Sequence, residues 1–208
     1  MRTRLLAILL VAAAVAPASV DLLAQNNARD LQRLIKALEV EPGMTVGEIG
    51  AGSGELTVLM AGHVGAAGKV LSTELNEARL ADIRKAVAAA SRQNVTVLEA
   101  GVETTNLPAA CCDAIFMRNV YHHFSNPAAI NRSLLAALEP GGRIAVIDFA
   151  PRGGADAATP AERSDDPTHG VRPETVAREL EAAGFVRVSV DEPGSSQDGF
   201  MVVMRKPA

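Results

Sequence analysis

The sequence predicts an α/β fold, a seven-stranded mostly parallel sheet with one antiparallel strand and helices on both faces. Three observations predict it. Short apolar runs alternate with helical periodicities along residues 31–149, which builds a parallel sheet covered on both sides. A glycine-rich turn, Gly50-Ala51-Gly52-Ser53-Gly54, joins the first such run to the next helix. The last two runs, 186–190 and 200–204, follow each other without a helix, so they are expected to pair antiparallel.

The chain starts with basic Arg2 and Arg4, then an uncharged apolar run over residues 5–16, with Ala16 and Ala18 set as A-x-A around Pro17. That three-part layout predicts a signal peptide within residues 1–24, cleaved after Ala18 or Ala24, and a single domain over 25–208. Export to the periplasm or the medium follows as an expectation, with a retained cytoplasmic helix as the alternative. The run is shorter than the roughly 20 residues a bilayer span needs, so no stable membrane anchor is expected.

Leu31, Leu34, Ile35 and Leu38 recur at helical spacing, and Pro42-Gly43 ends that helix. Residues 44–49 read as the first strand, and the helix after the glycine turn covers about 55–63. A buried strand at 69–73, an Ala-rich helix at 76–92 and strands at 95–98 and 113–117 come next. Helix 127–138 places Ile130, Leu134, Leu135 and Leu138 on one face, and Pro140-Gly141-Gly142 breaks it before a fifth strand at 143–149. Residues 150–172 read as a polar loop, and a last helix at 173–183 is capped by Gly184. In such a sheet a ligand sits at the carboxyl ends of the first and fourth strands.

A length of 208 residues suits one domain with a substantial core. Aromatic residues make up 3% and Trp is absent, the formal charge is −4, and no basic run occurs, which disfavours a nucleic-acid partner. Cys111 and Cys112 are adjacent, too close for an unstrained bridge, and no metal-ligand spacing surrounds them. They are expected to be small buried residues, a nucleophilic or arsenic-binding thiol pair being the alternative. No metal site is expected.

Gly50, Gly52 and Gly54 alternate between a strand and a helix, where a cofactor would lie against the backbone. A dinucleotide fingerprint would need a small residue at 55; Glu55 stands there instead, and its carboxylate would repel a pyrophosphate. Nearby carboxylates such as Glu48 suit a cofactor that is cationic and free of phosphate. Glu74, just after the second strand, can accept hydrogen bonds from both hydroxyls of a ribose.

Those residues carry a family resemblance. Val46-Gly47-Glu48-Ile49-Gly50-Ala51-Gly52-Ser53-Gly54, then Glu74, Leu138-Glu139-Pro140-Gly141-Gly142-Arg143 and Ala182-Ala183-Gly184-Phe185 resemble a class I S-adenosylmethionine (SAM)-dependent methyltransferase over residues 28–206. The resemblance implies SAM as cofactor, with Glu48 near its methionine end, Gly50, Gly52 and Gly54 beneath it and Glu74 on its ribose. After the third strand, Val102 stands where many members carry an acid, so either Glu103 or the backbone alone is expected to meet the adenine.

Methyl transfer needs alignment, and a base only where the acceptor must lose a proton. His122 or His123, after the fourth strand, is the expected base, with at most one of them catalytic. Tyr121 or Asn119 could orient an acceptor, Asn119 being also an expected cofactor contact; His169 and Asp148 are further candidates, with loop and capping roles as alternatives. The absence of an inserted substrate domain within the chain favours a small-molecule acceptor or an open protein surface over a large nucleic acid. The competing expectation is an exported SAM-fold protein that binds a ligand without catalysis, and a nicotinamide oxidoreductase is weakened by Glu55 and the closing strands. Oligomeric state is not legible.

Overall fold

The computed structural model describes residues 18–153, 155–166, 168–191 and 199–208, and the side chains from residue 22 onward. Seven strands form one sheet: β1 (Thr45–Ile49), β2 (Lys69–Glu74), β3 (Val95–Glu99), β4 (Cys112–Arg118), β5 (Leu138–Asp148), β6 (Val186–Asp191) and β7 (Phe200–Arg205). Their order is β3-β2-β1-β4-β5-β7-β6. β7 runs antiparallel to both neighbours, and the other pairings are parallel. The reversed strand is therefore the last one, inserted between β5 and β6.

The helices are α1 (Ala18–Leu38), α2 (Glu55–Val64), α3 (Glu77–Ala89), α4 (Pro127–Ala137), α5 (Pro160–Asp165) and α6 (Pro173–Ala182). Two apolar clusters lie on the two faces of the sheet. Leu31, Leu34 and Leu38 of α1 and Leu56, Met60 and Val64 of α2 pack on Val46, Val70, Phe116 and Ala145. Ile130 and Leu134 of α4 and Val176 and Leu180 of α6 pack on Ile49, Ile115, Met117 and Val146. Alternation along each strand sends neighbours to opposite faces, which is why Val46 and Ile49 belong to different clusters.

Three elements differ from the sequence expectation. Helix α4 ends at Ala137 and β5 begins at once, with the register slipping between Cys112 and Ala114. Pro140-Gly141-Gly142 is thus part of an irregular strand entrance and not a break ahead of the strand. Within the expected polar loop 150–172 stands α5, opened by a capping box in which Thr159 and Glu162 satisfy each other's backbone N–H groups, with Pro160 in the first turn. Helix α1 starts at Ala18, so residues 18–24 of the expected signal segment form its first two turns, while residues 1–17 lie outside the described residues.

Cys112 is fully buried and packs against Gly47, where an added Cβ would lie 3.4 Å from its Sγ. Burial pushes the Cys112 thiol far above its ordinary pKa and raises that of half-buried Cys111. Neither is an activated thiolate. Among the described residues no helix is long and apolar enough to cross a membrane.

Candidate active site

The strand order reverses direction between β1 and β4, and a cleft of about 490 Å³ opens at their carboxyl ends. This is the position where an open α/β sheet leaves room for a ligand, because the loops leave in opposite directions. Glu48, residues 50–53 of the glycine turn, Glu74, Leu75, Val102, Asn119 and His123 line it, together with Leu23 and Asn27 of α1.

The three glycines of the turn serve different purposes. Gly50 has φ +66°, and a Cβ there would lie 2.5 Å from Val120 Cγ2. At Gly54 a Cβ would meet Ile83 Cα at 3.1 Å, so this glycine lets α2 approach α3. Only Gly52, with φ +60°, would point a Cβ into open space, with no atom within 4 Å. The expectation that all three lie bare beneath a cofactor narrows to Gly52.

Glu74 is buried and held by three backbone N–H groups. Gly52 donates to Oε2 at 3.0 Å, and Leu75 and Asn76 donate to Oε1 at 2.9 and 3.3 Å. The carboxylate is fixed at the cleft wall with lone pairs to spare for vicinal hydroxyls. Beside it, Leu75 and Val102 are 55% and 69% exposed, an apolar pair suited to the faces of a planar base.

Glu48 is buried at the end of β1. Thr57 donates its hydroxyl to Glu48 Oε2, and Thr57 in turn contacts Ser72 at 3.0 Å. Desolvation pushes the Glu48 pKa up to about 8, opposed by the Thr57 hydrogen bond and by Arg118. A carboxylic acid held this way ionises readily only when a cation arrives.

Glu103 accepts a 2.8 Å hydrogen bond from Asn126 Nδ2 and does not line the cleft. Asn126, which also caps α4, holds the expected adenine contact Glu103 beside the cleft and not in its wall. Gly101 and Val102 occupy the wall instead. Asn119 reaches the cleft with φ +56°, its N–H donating to the Ile147 carbonyl at 2.8 Å.

The adjacent histidines of the one-turn 3-10 helix Tyr121–His123 pack ring against ring but differ in exposure. His122 is buried: its Nδ1 lies 2.8 Å from Asp148 Oδ1, its N–H donates to Oδ2 at 3.2 Å, and its ring packs on Phe149. His123 is exposed to the cleft, its ring centroid 4.0 Å from that of His122. Desolvation, the neighbouring His122 and Arg79 lower its pKa below the ordinary imidazole value, with Asp148 opposing. His123 is therefore a neutral acceptor at pH 7, and of the two rings only His123 lines the cleft.

Tyr121 is not available to an acceptor. It is fully buried, bonded to Asn131 Nδ2 at 2.8 Å and covered by Arg163 at 5.8 Å from its ring centroid. His169 contacts the carbonyl of Gly170 at 3.3 Å and stays out of the cleft wall. Arg118 and Asn27 line the cleft although sequence reasoning gave neither a role; a cation at the end of β4 was the available signal for Arg118.

Residues 47–146 match the family model described as a methyltransferase domain. The ubiquinone/menaquinone biosynthesis C-methyltransferase UbiE of Ectopseudomonas mendocina is 30% identical over 65% of this chain and 56% of its own length. The UbiE of Shewanella pealeana is 28% identical over 55% of this chain and 46% of its own. A SAM-dependent methyltransferase from Aquifex aeolicus superimposes with a TM-score of 0.74 at 25% identity, covering 92% of this chain and 98% of that one. A possible exported protein from Bordetella parapertussis shares the fold, with a TM-score of 0.68 at 15% identity over 88% of this chain and 68% of that one.

Fold, glycine turn and family match together define the class: residues 47–146 carry a methyltransferase domain, and the fold is that of the class I SAM-dependent methyltransferases. The chain spans about half the length of the curated relatives it matches. SAM is the cofactor of that class, and the site fits it. Gly52 leaves an open cradle, Glu74 presents fixed acceptors, and Glu48 offers a latent negative charge without a phosphate-binding group.

Proposed function

We propose that the protein transfers a methyl group from SAM to a small, largely apolar acceptor of the quinone type, at carbon. The observation that carries this reading is His123, a cleft-lining imidazole whose pKa is lowered, beside an apolar wall of Val120, Phe124 and Ile130. The UbiE relatives support the acceptor class.

Bound SAM supplies a methyl group already activated on a sulfonium. Gly52 lets the cofactor approach the backbone, and Glu74 takes its ribose hydroxyls. Glu48 answers its positive charge. When a phenolic ring carbon gains a methyl, its proton must leave, and His123 accepts it on a ring nitrogen. Asp148 holds His122, and His122 packs against His123, so the buried pair positions the base. Phe124 and Leu23 add apolar surface to the cleft.

We also propose export through the basic and apolar start of the chain. Cleavage after Ala18 removes only the first residue of α1, whereas cleavage after Ala24 removes Leu23 from the cleft wall. The mass of the mature N-terminus decides between these and an uncleaved chain.

The test of the methyltransferase reading is incubation with methyl-labelled SAM and a panel of reduced quinols. Label on a ring carbon of a quinol, lost in His123→Ala, is the expected result. Tight SAM binding without transfer to any small molecule would favour a ligand-binding protein instead.

A further inference from the structure

Arg118 closes β4 and faces the same cleft as Glu48, yet its guanidinium is committed to the N-terminal helix through one nitrogen. Nη1 donates to Asn27 Oδ1 at 2.7 Å and to Asp30 Oδ2 at 3.1 Å. Asn27 and Asp30 are both buried, one turn apart on α1, so the cation is fixed in place. Arg118 remains 24% exposed at its side chain, and Nη2 and Nε make no hydrogen bond to another described residue. Arg118 also stands close enough to Glu48 to lower its proton affinity.

A carboxyl and a guanidinium side by side in one cleft form a receptor for a zwitterion. The carboxylate takes an ammonium, and the planar fork takes a carboxylate. We propose that Arg118 binds the α-carboxylate of the cofactor's amino-acid end opposite Glu48, and that this contact locks α1 onto the cleft. The proposal rests on the SAM reading and adds to it a residue and a coupling. α1 reaches the ligand twice: through Asn27 and Asp30, which hold Arg118, and through Leu23, which lines the cleft four residues before the buried anchor Asn27. An α-amino-acid group on Arg118 therefore orders the helix that covers it, whereas a nucleoside lacking that group leaves α1 as it is.

The experiment compares S-adenosylhomocysteine with 5′-methylthioadenosine, which lacks the amino-acid group, by calorimetry on the full chain. A charge-assisted pair contributes roughly a 10- to 100-fold preference. Wild type is expected to prefer S-adenosylhomocysteine by at least that factor. Arg118→Met is expected to lose most of the preference while binding 5′-methylthioadenosine within about threefold of wild type, which also reports an intact fold. Arg118→Lys keeps part of it, as a point charge does. Hydrogen exchange supplies the second readout: S-adenosylhomocysteine slows the amides of residues 22–30, and 5′-methylthioadenosine does not. Equal weakening of both ligands in Arg118→Met would overturn the proposal, as would an unchanged preference. Failure of wild type to bind either nucleoside would instead overturn the SAM reading beneath it.

Discussion

Replacing Gly52 and Gly50 in turn by Ala separates a glycine needed by a ligand from one needed by the fold. Both residues are in the left-handed region, where a side chain costs about 1–2 kcal/mol. At Gly52 that is the whole cost, since the new methyl meets nothing within 4 Å. At Gly50 the methyl also lies 2.5 Å from Val120 Cγ2, and overpacking adds about 1–3 kcal/mol. Urea unfolding is therefore expected to show a loss of about 1–2 kcal/mol for Gly52→Ala and about 2–5 kcal/mol for Gly50→Ala. The order inverts for the ligand. The Gly52 methyl projects into the cleft, and a misfit of similar size weakens SAM binding by roughly 10- to 100-fold in calorimetry. Wild-type affinity in Gly52→Ala would refute the reasoning, as would equal destabilisation by both substitutions.

Further outcomes follow from the same geometry. His123→Ala is expected to lower kcat by at least about 100-fold with SAM affinity unchanged, and the acid limb of kcat/KM in the wild type to lie below pH 6.5, because burial and His122 disfavour the imidazolium. A limb at or above 6.5 contradicts this. Glu48, protonated below about pH 8 in the free protein, releases close to one proton when a cationic ligand binds at pH 7; titration in buffers of different ionisation enthalpy measures it. The same raised pKa means that the ligand-free fold binds a proton which the unfolded chain has lost. Its stabilising contribution is full below about pH 4.5, falls as pH rises towards 8 and is absent above. Glu48→Gln is expected to flatten that slope, by up to about 5 kcal/mol across the window. Arg163→Met breaks a buried pair with Glu179 at 3.1 and 3.3 Å and is expected to cost about 3 kcal/mol in urea unfolding.

The fold was legible because its signals are periodic and local. Alternating apolar runs mark the strands, Pro42-Gly43 and Gly184 mark helix ends, and the helix-free gap before 200–204 marks the reversed strand. Helix α5 escaped although Thr159-Pro160-Ala161-Glu162 spells a capping box, because its polar surroundings showed no apolar stripe. The site was legible where a backbone motif dictates it, at Gly52 and Glu74. It was not legible where a side chain's partner lies far along the chain. Asn126 holds Glu103 beside the cleft across 23 positions, Asp148 draws His122 inward across 26, and Asn27 holds Arg118 across 91. Spacing alone cannot say which of two adjacent histidines faces a cleft; the buried carboxylate of Asp148 decides it.

The claim at the centre is that the β1–β4 cleft is a SAM site organised by Gly52 and Glu74. A crystal structure of the full chain grown with S-adenosylhomocysteine tests it most directly. The account predicts both ribose hydroxyls within hydrogen-bond distance of the Glu74 carboxylate and the nucleoside backed by Gly52. A nucleoside bound elsewhere, or a ribose facing away from Glu74, would contradict it.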